Sequence, residues 1–425
     1  VIGLPDPFPP SLRPTIVRSP GRSAVPIGSV EALDRIVQRL DDAVLPDDLK
    51  SARITVAFTD ATRHAPDHLL VGWLLCELEE RGARREQITL LAATGLHRPM
   101  TLEEIERKVG REIAGSLRVV NHDAFNRNGV HYLGDVAGMP VEAHRLCVEC
   151  DLLLATGIVE PHQYAGWSGG AKTVVIGCGG ERTIAATHAI STLDQPGVRL
   201  GAVAGNPFQR FIRQAGALIG VRGVINAVVE ESGAVDAVAF GSPNAVHDAL
   251  IARAARDVLV PVERAAHIAV AGVPQEKAVN LYQASRAATY LALSERPPLL
   301  EGAPIILSAD IPEGVGEGAG EERFGAALAA AASPRELIDR ARRDGLPGGA
   351  QRAYMVACVL EHSPLIVVGS GDRALIERCH LHATSTLGEA LALAERLVRS
   401  NRPLLPATLD LLVVEDAIAT IVTAV

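Results

Sequence analysis

Two histidines, one lysine and a turn of glycines share a single short block. From Gly157 to His188 the chain reads GIVEPHQYAGWSGGAKTVVIGCGGERTIAATH. Histidine is the side chain that exchanges protons near neutral pH, and it is a common metal ligand. His162 opens the block and His188 closes it. Between them Gly166, Gly169 and Gly170 precede Lys172. Glycines at such a turn leave backbone N–H groups free to face an anion, and the lysine after them reaches whatever the turn holds. The spacing fits neither G-x-x-x-x-G-K-[ST] nor G-x-G-x-x-G. The plainer reading is a strand-to-helix turn with a surface lysine.

Two further polar turns carry candidates. His97 ends Thr94-Gly95-Leu96-His97, and Arg63 ends Asp60-Ala61-Thr62-Arg63. His97 and His162 each follow a strand-like run, so converging loops can set them on opposite faces of one ligand. Two proton-transfer groups on opposite faces are what inversion of a stereocentre needs. Arg63 offers a guanidinium fork for a carboxylate. Asp60 either orients Arg63 or a ligand hydroxyl, or caps the next helix. His122 also stands at a strand end. His64, His68, His144, His247 and His380 read as structural or exposed.

The elements that position these residues alternate. Strand-like runs at 53–58, 88–93 and 151–156 each end in one of the polar turns. Helices follow from Pro66 to Leu78 and from Thr101, where Thr101 with Glu104 is a capping box. Residues 30–45 have apolar positions at helical spacing, and residues 1–24 read as an extended arm. This is the pattern of a mostly parallel α/β sheet with its site at the carboxyl ends of the strands. A second unit opens near His267, with strands at 304–307 and 365–368. The expected fold is two α/β domains with mostly parallel sheets, 1–262 and 263–425. The last ~15 residues are expected to pack back on the first domain, and the site is expected in the cleft between the two.

The blocks resemble one known family. Asp60-Ala61-Thr62-Arg63 with Pro66, Thr94-Gly95-Leu96-His97-Arg98-Pro99, Asn121-His122-Asp123, the PHxxAGxSGGAK run with His188 after it, and Leu281-Tyr282-Gln283-Ala284 occur in the order of the nickel-dependent lactate racemases. The resemblance implies a nickel-pincer nucleotide, a pyridinium-3-thioamide-5-thiocarboxylic acid mononucleotide that carries Ni. Lys172 would tether it through a thioamide, with Asp60, Gly169 and Gly170 around it, and His188 would complete nickel coordination. It implies His97 and His162 as acid and base, and Arg63 with Gln283 as substrate contacts. It also implies separate cofactor-maturation proteins as partners. The chain departs from the family at Arg286, where a lysine is expected, and at Trp167, where Phe or Tyr is expected. The tryptophan of lactate-specific members has no match around Gly348-Gly349-Ala350-Gln351-Arg352-Ala353. Two guanidinium groups, Arg63 and Arg286, point to a larger or more polar 2-hydroxyacid than lactate.

Composition narrows the alternatives. The 425 residues carry a net charge of −9 and only 3% aromatics, so the core is aliphatic and no basic nucleic-acid surface is expected. No apolar run reaches the length of a membrane span. The proline-rich first residues lack a signal-like apolar core. Six cysteines are too few for a disulfide scaffold, and Cys147-Val148-Glu149-Cys150 has no second pair to build a zinc site. A cytoplasmic 2-hydroxyacid racemase or epimerase is the expectation. The rivals are a hydrolase or lyase with a metal on His162, His188 and a carboxylate, or a non-catalytic nickel or nucleotide binder.

Overall fold

The computed structural model describes residues 7–18, 24–230, 233–347, 349–401 and 404–425. Two large sheets dominate. The first runs in the order Val37–Arg39, Val235–Gly241, Gly223–Val229, Leu152–Ile158, Ile54–Thr59, Ile88–Ala93, Arg118–Asn121. Its neighbours are parallel except Gly223–Val229 with Val235–Gly241. The second runs Leu12–Val17, Leu409–Val414, Ile268–Gly272, Ile305–Ser308, Leu365–Val368, His382–Thr384, parallel throughout. The expected α/β class with mostly parallel sheets holds.

The central strands are buried on both faces, as parallel sheets require. In Ile54–Thr59 every residue is buried: Ala57 joins the core on one side, and Ile54, Val56 and Phe58 join that on the other. Local signals set the helices. Thr101 and Glu104 form the reciprocal capping box that opens Leu102–Val109. Asn206 caps Pro207–Ile219, which ends on left-handed Gly220.

Two segments depart from expectation. The run 30–45 is helical only over Val30–Asp34; Val37–Arg39 then pairs with Val238–Phe240. A free sheet edge next to β-branched Ile36 and Val37 outweighs helical spacing. The arm is not unpaired: Leu12–Val17 lies in register along Leu409–Val414 and so belongs to the second sheet, not to a unit spanning 1–262. Pro14 is tolerated there because the strand is an edge. Residues 1–6 and 19–23 of that arm lie outside the described residues. Near the other end, Ile421–Ala424 pairs with Leu259–Val262, and Ile421 enters the core of the first unit. Among the described residues no helix is long and apolar enough to cross a membrane.

Candidate active site

The chain builds Ile54–Thr59, Ile88–Ala93 and Arg118–Asn121 outward, then returns to lay Leu152–Ile158 on the other side of Ile54–Thr59. That reversal is a topological switch point, where neighbouring loops diverge and leave a crevice. The register sets Thr59 beside Ala93 and Ala57 beside Ala155. The turns carrying Asp60, His97 and His162 therefore emerge side by side. They line a cavity of about 990 Å³, with Arg63, Lys172 and His188. Tyr282, Arg323 and Arg352 from the second unit also line it.

His97 is held by Asp60. Its Nδ1 lies 2.6 Å from Asp60 Oδ2, and the buried carboxylate also accepts the backbone N–H and hydroxyl of Thr62 through Oδ1. A carboxylate accepts, so Nδ1 carries the hydrogen and the His97 Nε2 lone pair is free. Burial pushes the Asp60 carboxyl up, but the bonds from His97 and Thr62 and the charge of Arg63 outweigh it and hold it below the usual range. Asp60 caps no helix: Asp67–Glu80 starts after Pro66 without a side-chain cap.

His162 has the opposite polarity. Its Nδ1 accepts the backbone N–H groups of Tyr164 at 3.2 Å and Ala165 at 3.1 Å. A nitrogen that accepts two N–H bonds holds no proton, so the neutral ring carries its hydrogen on Nε2. Burial drives its pKa well down, helped by the charges of Lys172, Arg63, His188 and Arg286. His97 thus offers a lone pair and His162 an N–H.

The glycine turn is built for close approach. Gly166 has φ +74°, and a Cβ there would overlap the carbonyl of Ala202. Asn226 Oδ1 accepts the Gly170 N–H at 2.7 Å, His247 Nε2 bonds to the Ser168 carbonyl at 3.0 Å, and Ser168 Oγ donates to the Ile158 carbonyl at 2.8 Å. The amides of Ser168 and Lys172 are also taken, by the Glu160 and Gly169 carbonyls. The expected cradle of free N–H groups is therefore corrected at these positions: they brace the loop. Trp167 is buried, its Nε1 donating to Gly201. Gly169 lines the cavity; Gly170 lies behind it.

Lys172 opens the short helix Lys172–Val175. It keeps some exposure to the cavity but lies deep in the chain, and its amine has no hydrogen bond or ion pair among the described residues. Burial, then the nearby Arg63 charge, lowers its pKa to about 7. The neutral, nucleophilic amine is therefore half populated near neutrality. Trace acetylation read by mass spectrometry should rise through a midpoint near pH 7 at Lys172. A short unstructured lysine peptide in the same tube should follow the ordinary lysine profile, with its midpoint near 10.4. A Lys172 profile that matches the peptide would contradict this.

His188 follows Glu181–Thr187 as its C-cap. Its Nδ1 lies 3.0 Å from the Ile184 carbonyl and 3.0 Å from Thr187 Oγ1. A carbonyl only accepts, so Nδ1 carries the hydrogen and Nε2 keeps a free lone pair, the arrangement of a metal-ligating histidine. Burial lowers its pKa to about 4, which keeps that lone pair available. Among the described residues no three His, Cys, Asp or Glu side chains come together as a metal site. The ligand set of the rival hydrolase, His162, His188 and a carboxylate, is therefore not assembled. A metal at His188 needs further donors from a bound group.

Arg63 lies 3.5 Å from Glu160 with both side chains partly exposed, so the guanidinium can be drawn to a ligand. Gln283 and Arg286 lie on Leu281–Ala292, set by Asn280, whose Oδ1 accepts the Gln283 N–H. Neither lines the cavity, although Tyr282 of that helix does. His122 is buried, its Nε2 bonded to the Gly179 carbonyl, and is no part of the lining. Sequence reading missed Tyr164, which packs edge-on against His162 and His188, and Arg352. Gly348, in the segment where the resemblance expects a tryptophan, lies outside the described residues; Gln351 and Arg352 beyond it reach the cavity. All six cysteines are free thiols.

Residues 29–201 match the family described as the lactate racemase N-terminal domain. The chain is 26% identical to the lactate racemase of Thermoanaerobacterium thermosaccharolyticum over 355 residues, 82% of this chain and 81% of that one. It is 28% identical to the lactate racemase of Lactiplantibacillus plantarum over 371 residues, 84% and 85% of the two chains. Its fold matches the structure of the lactate racemase apoprotein from T. thermosaccharolyticum with a TM-score of 0.83 at 24% identity, over 99% of this chain and 96% of that one.

Proposed function

Because the chain is a homologue of the lactate racemases and carries their N-terminal domain over residues 29–201, we propose that it is an isomerase that inverts the α-carbon of a 2-hydroxyacid. The observation that carries this reading is the His97–Asp60 pair, aimed into the cavity that also holds His162, Lys172 and His188. A hydroxyl proton needs a base with a free lone pair, and His97 Nε2 is that base, with Asp60 ready to stabilise the imidazolium. His162 donates its Nε2–H to the same oxygen, as a neutral electrophile does. An exchange of roles between the two histidines would need the His162 proton to move to Nδ1 and the Tyr164 and Ala165 amides to let go. Arg63 releases Glu160 and takes the carboxylate.

The residues fit the nickel-pincer nucleotide that the resemblance implies. Lys172, with its lowered pKa and unpaired amine, would be the tether, and His188 Nε2 would be the protein ligand to nickel. That group, when bound, supplies the acceptor and donor of hydride at the α-carbon. The site in the cleft between the two units, the maturation proteins as partners and the cytoplasm as location belong to this reading.

The test is a panel of enantiopure 2-hydroxyacids incubated with matured enzyme and followed by chiral chromatography. Each enantiomer of a true substrate should run to an equal mixture. Consumption of the acid with release of an unsaturated product, and no second enantiomer, would favour the lyase.

A further inference from the structure

Two arginines stand together without a countercharge. Arg286 is on Leu281–Ala292 and Arg352 on Gln351–Leu360, two helices that pack together. Arg286 Nε, Arg352 Nε and Arg352 Nη1 are buried with no hydrogen-bond partner. Neither guanidinium has an ion pair among the described residues. Arg352 lies over the Tyr282 ring at 4.6 Å and lines the cavity. The groups that act on Arg286 are Arg352, Tyr290, Tyr282 and Arg63, with no carboxylate among them. Burial, then the Arg352 charge, holds Arg286 below the usual arginine range.

Buried like charges are costly unless something neutralises them. The planar forks of two arginines suit an oxyanion that each can grip. The position of the pair says which end of a ligand they meet. Arg286 acts on His162, and Arg352 acts on Tyr164 beside it. The pair therefore sits toward the proton-handling side of the cavity. Arg63, at the end of Ile54–Thr59, is already suited to the α-carboxylate.

We propose that Arg352, which lines the cavity, takes a second acidic group on the substrate with the unpaired charge of Arg286 beside it, so that the enzyme acts on a 2-hydroxy dicarboxylic acid in preference to lactate. This rests on the racemase reading for its α-carbon chemistry. Phosphate has the same chemistry and could come from a nucleotide, so the test includes it.

The experiment uses the full chain without cofactor and titrates malate, lactate and inorganic phosphate by calorimetry. Malate should bind at least about tenfold tighter than lactate, and Arg286→Gln or Arg352→Gln should each weaken malate by about 10- to 100-fold, since bonds to charged groups are that strong. Lactate binding should change little. Equal binding of malate and lactate, variants that bind malate as before, or phosphate that displaces malate from the pair would each overturn the proposal. Without ligand, the two variants should melt at or above the wild-type temperature, because each relieves an unpaired charge. A marked fall in both would mark the arginines as structural and overturn it too. Matured enzyme separates the two readings. Higher kcat/KM for lactate than for malate leaves a racemase and removes the dicarboxylate preference. Malate bound as expected, with no 2-hydroxyacid racemised, removes the racemase and leaves the dicarboxylate site.

Discussion

His97→Ala should lower kcat by roughly 10²- to 10⁴-fold with the attached cofactor mass unchanged, because it removes a base and leaves the tether alone. Asp60→Asn should give a fall of similar order: an amide in place of the carboxylate no longer fixes hydrogen on Nδ1, and His97 can turn to the wrong tautomer. Folding has its own signature. The Asp60 carboxyl is held below its ordinary range, so its contribution to stability is full above the unfolded value of 3.8 and is lost as pH falls through the depressed folded value. Asp60→Asn should remove that acid-side dependence. An unchanged kcat in either variant would take the pair out of the reaction.

Lys172→Met should abolish turnover and any attached mass, and at the same time stabilise the cofactor-free protein. The sign follows from the depressed pKa. Lys172 has a folded value of about 7, below the 10.5 of a free lysine. The unfolded chain therefore binds the proton more readily. The cost of burying the ammonium is full below pH 7 and vanishes as pH rises through the unfolded value. The gain in melting temperature of Lys172→Met should be largest below pH 7 and shrink toward pH 10. A variant that keeps turnover would remove the tether; a variant less stable at pH 6 would show that the amine is satisfied by a partner.

Much of the scaffold was legible because its signals are local. The strands at 54–59, 88–93 and 152–158 announce themselves as β-branched or aliphatic runs, and the turns after them hold His97, His162 and Arg63. What could not be read is long range. Leu12–Val17 pairs with a strand near the far end of the chain, and nothing in its own residues says so. Asp60 reads either as a cap or as an orienting carboxylate, because its partner His97 lies a whole helix and strand further on. His97 and His162 looked equivalent, since sequence carries no information on which ring nitrogen is occupied; the carboxylate at one and the two amides at the other decide it. Asn226 and His247, which brace the glycine turn, come from a neighbouring strand and helix. Arg286 stands out only against the pattern that the resemblance implies, and its meaning depends on Arg352, which the packing of two helices brings near.

Inversion at the α-carbon is the decisive property. One enantiomer of a substrate acid, deuterated at that carbon, is incubated with matured enzyme in ordinary water, and enantiomeric excess and deuterium content are followed together. On the proposed hydride route enantiomeric excess should decay to zero while the deuterium is largely retained, because a transferred hydride does not exchange with solvent. Inversion with full loss of deuterium would contradict the hydride route, and an enantiomeric excess that never falls for any acid of the panel would contradict the racemase itself.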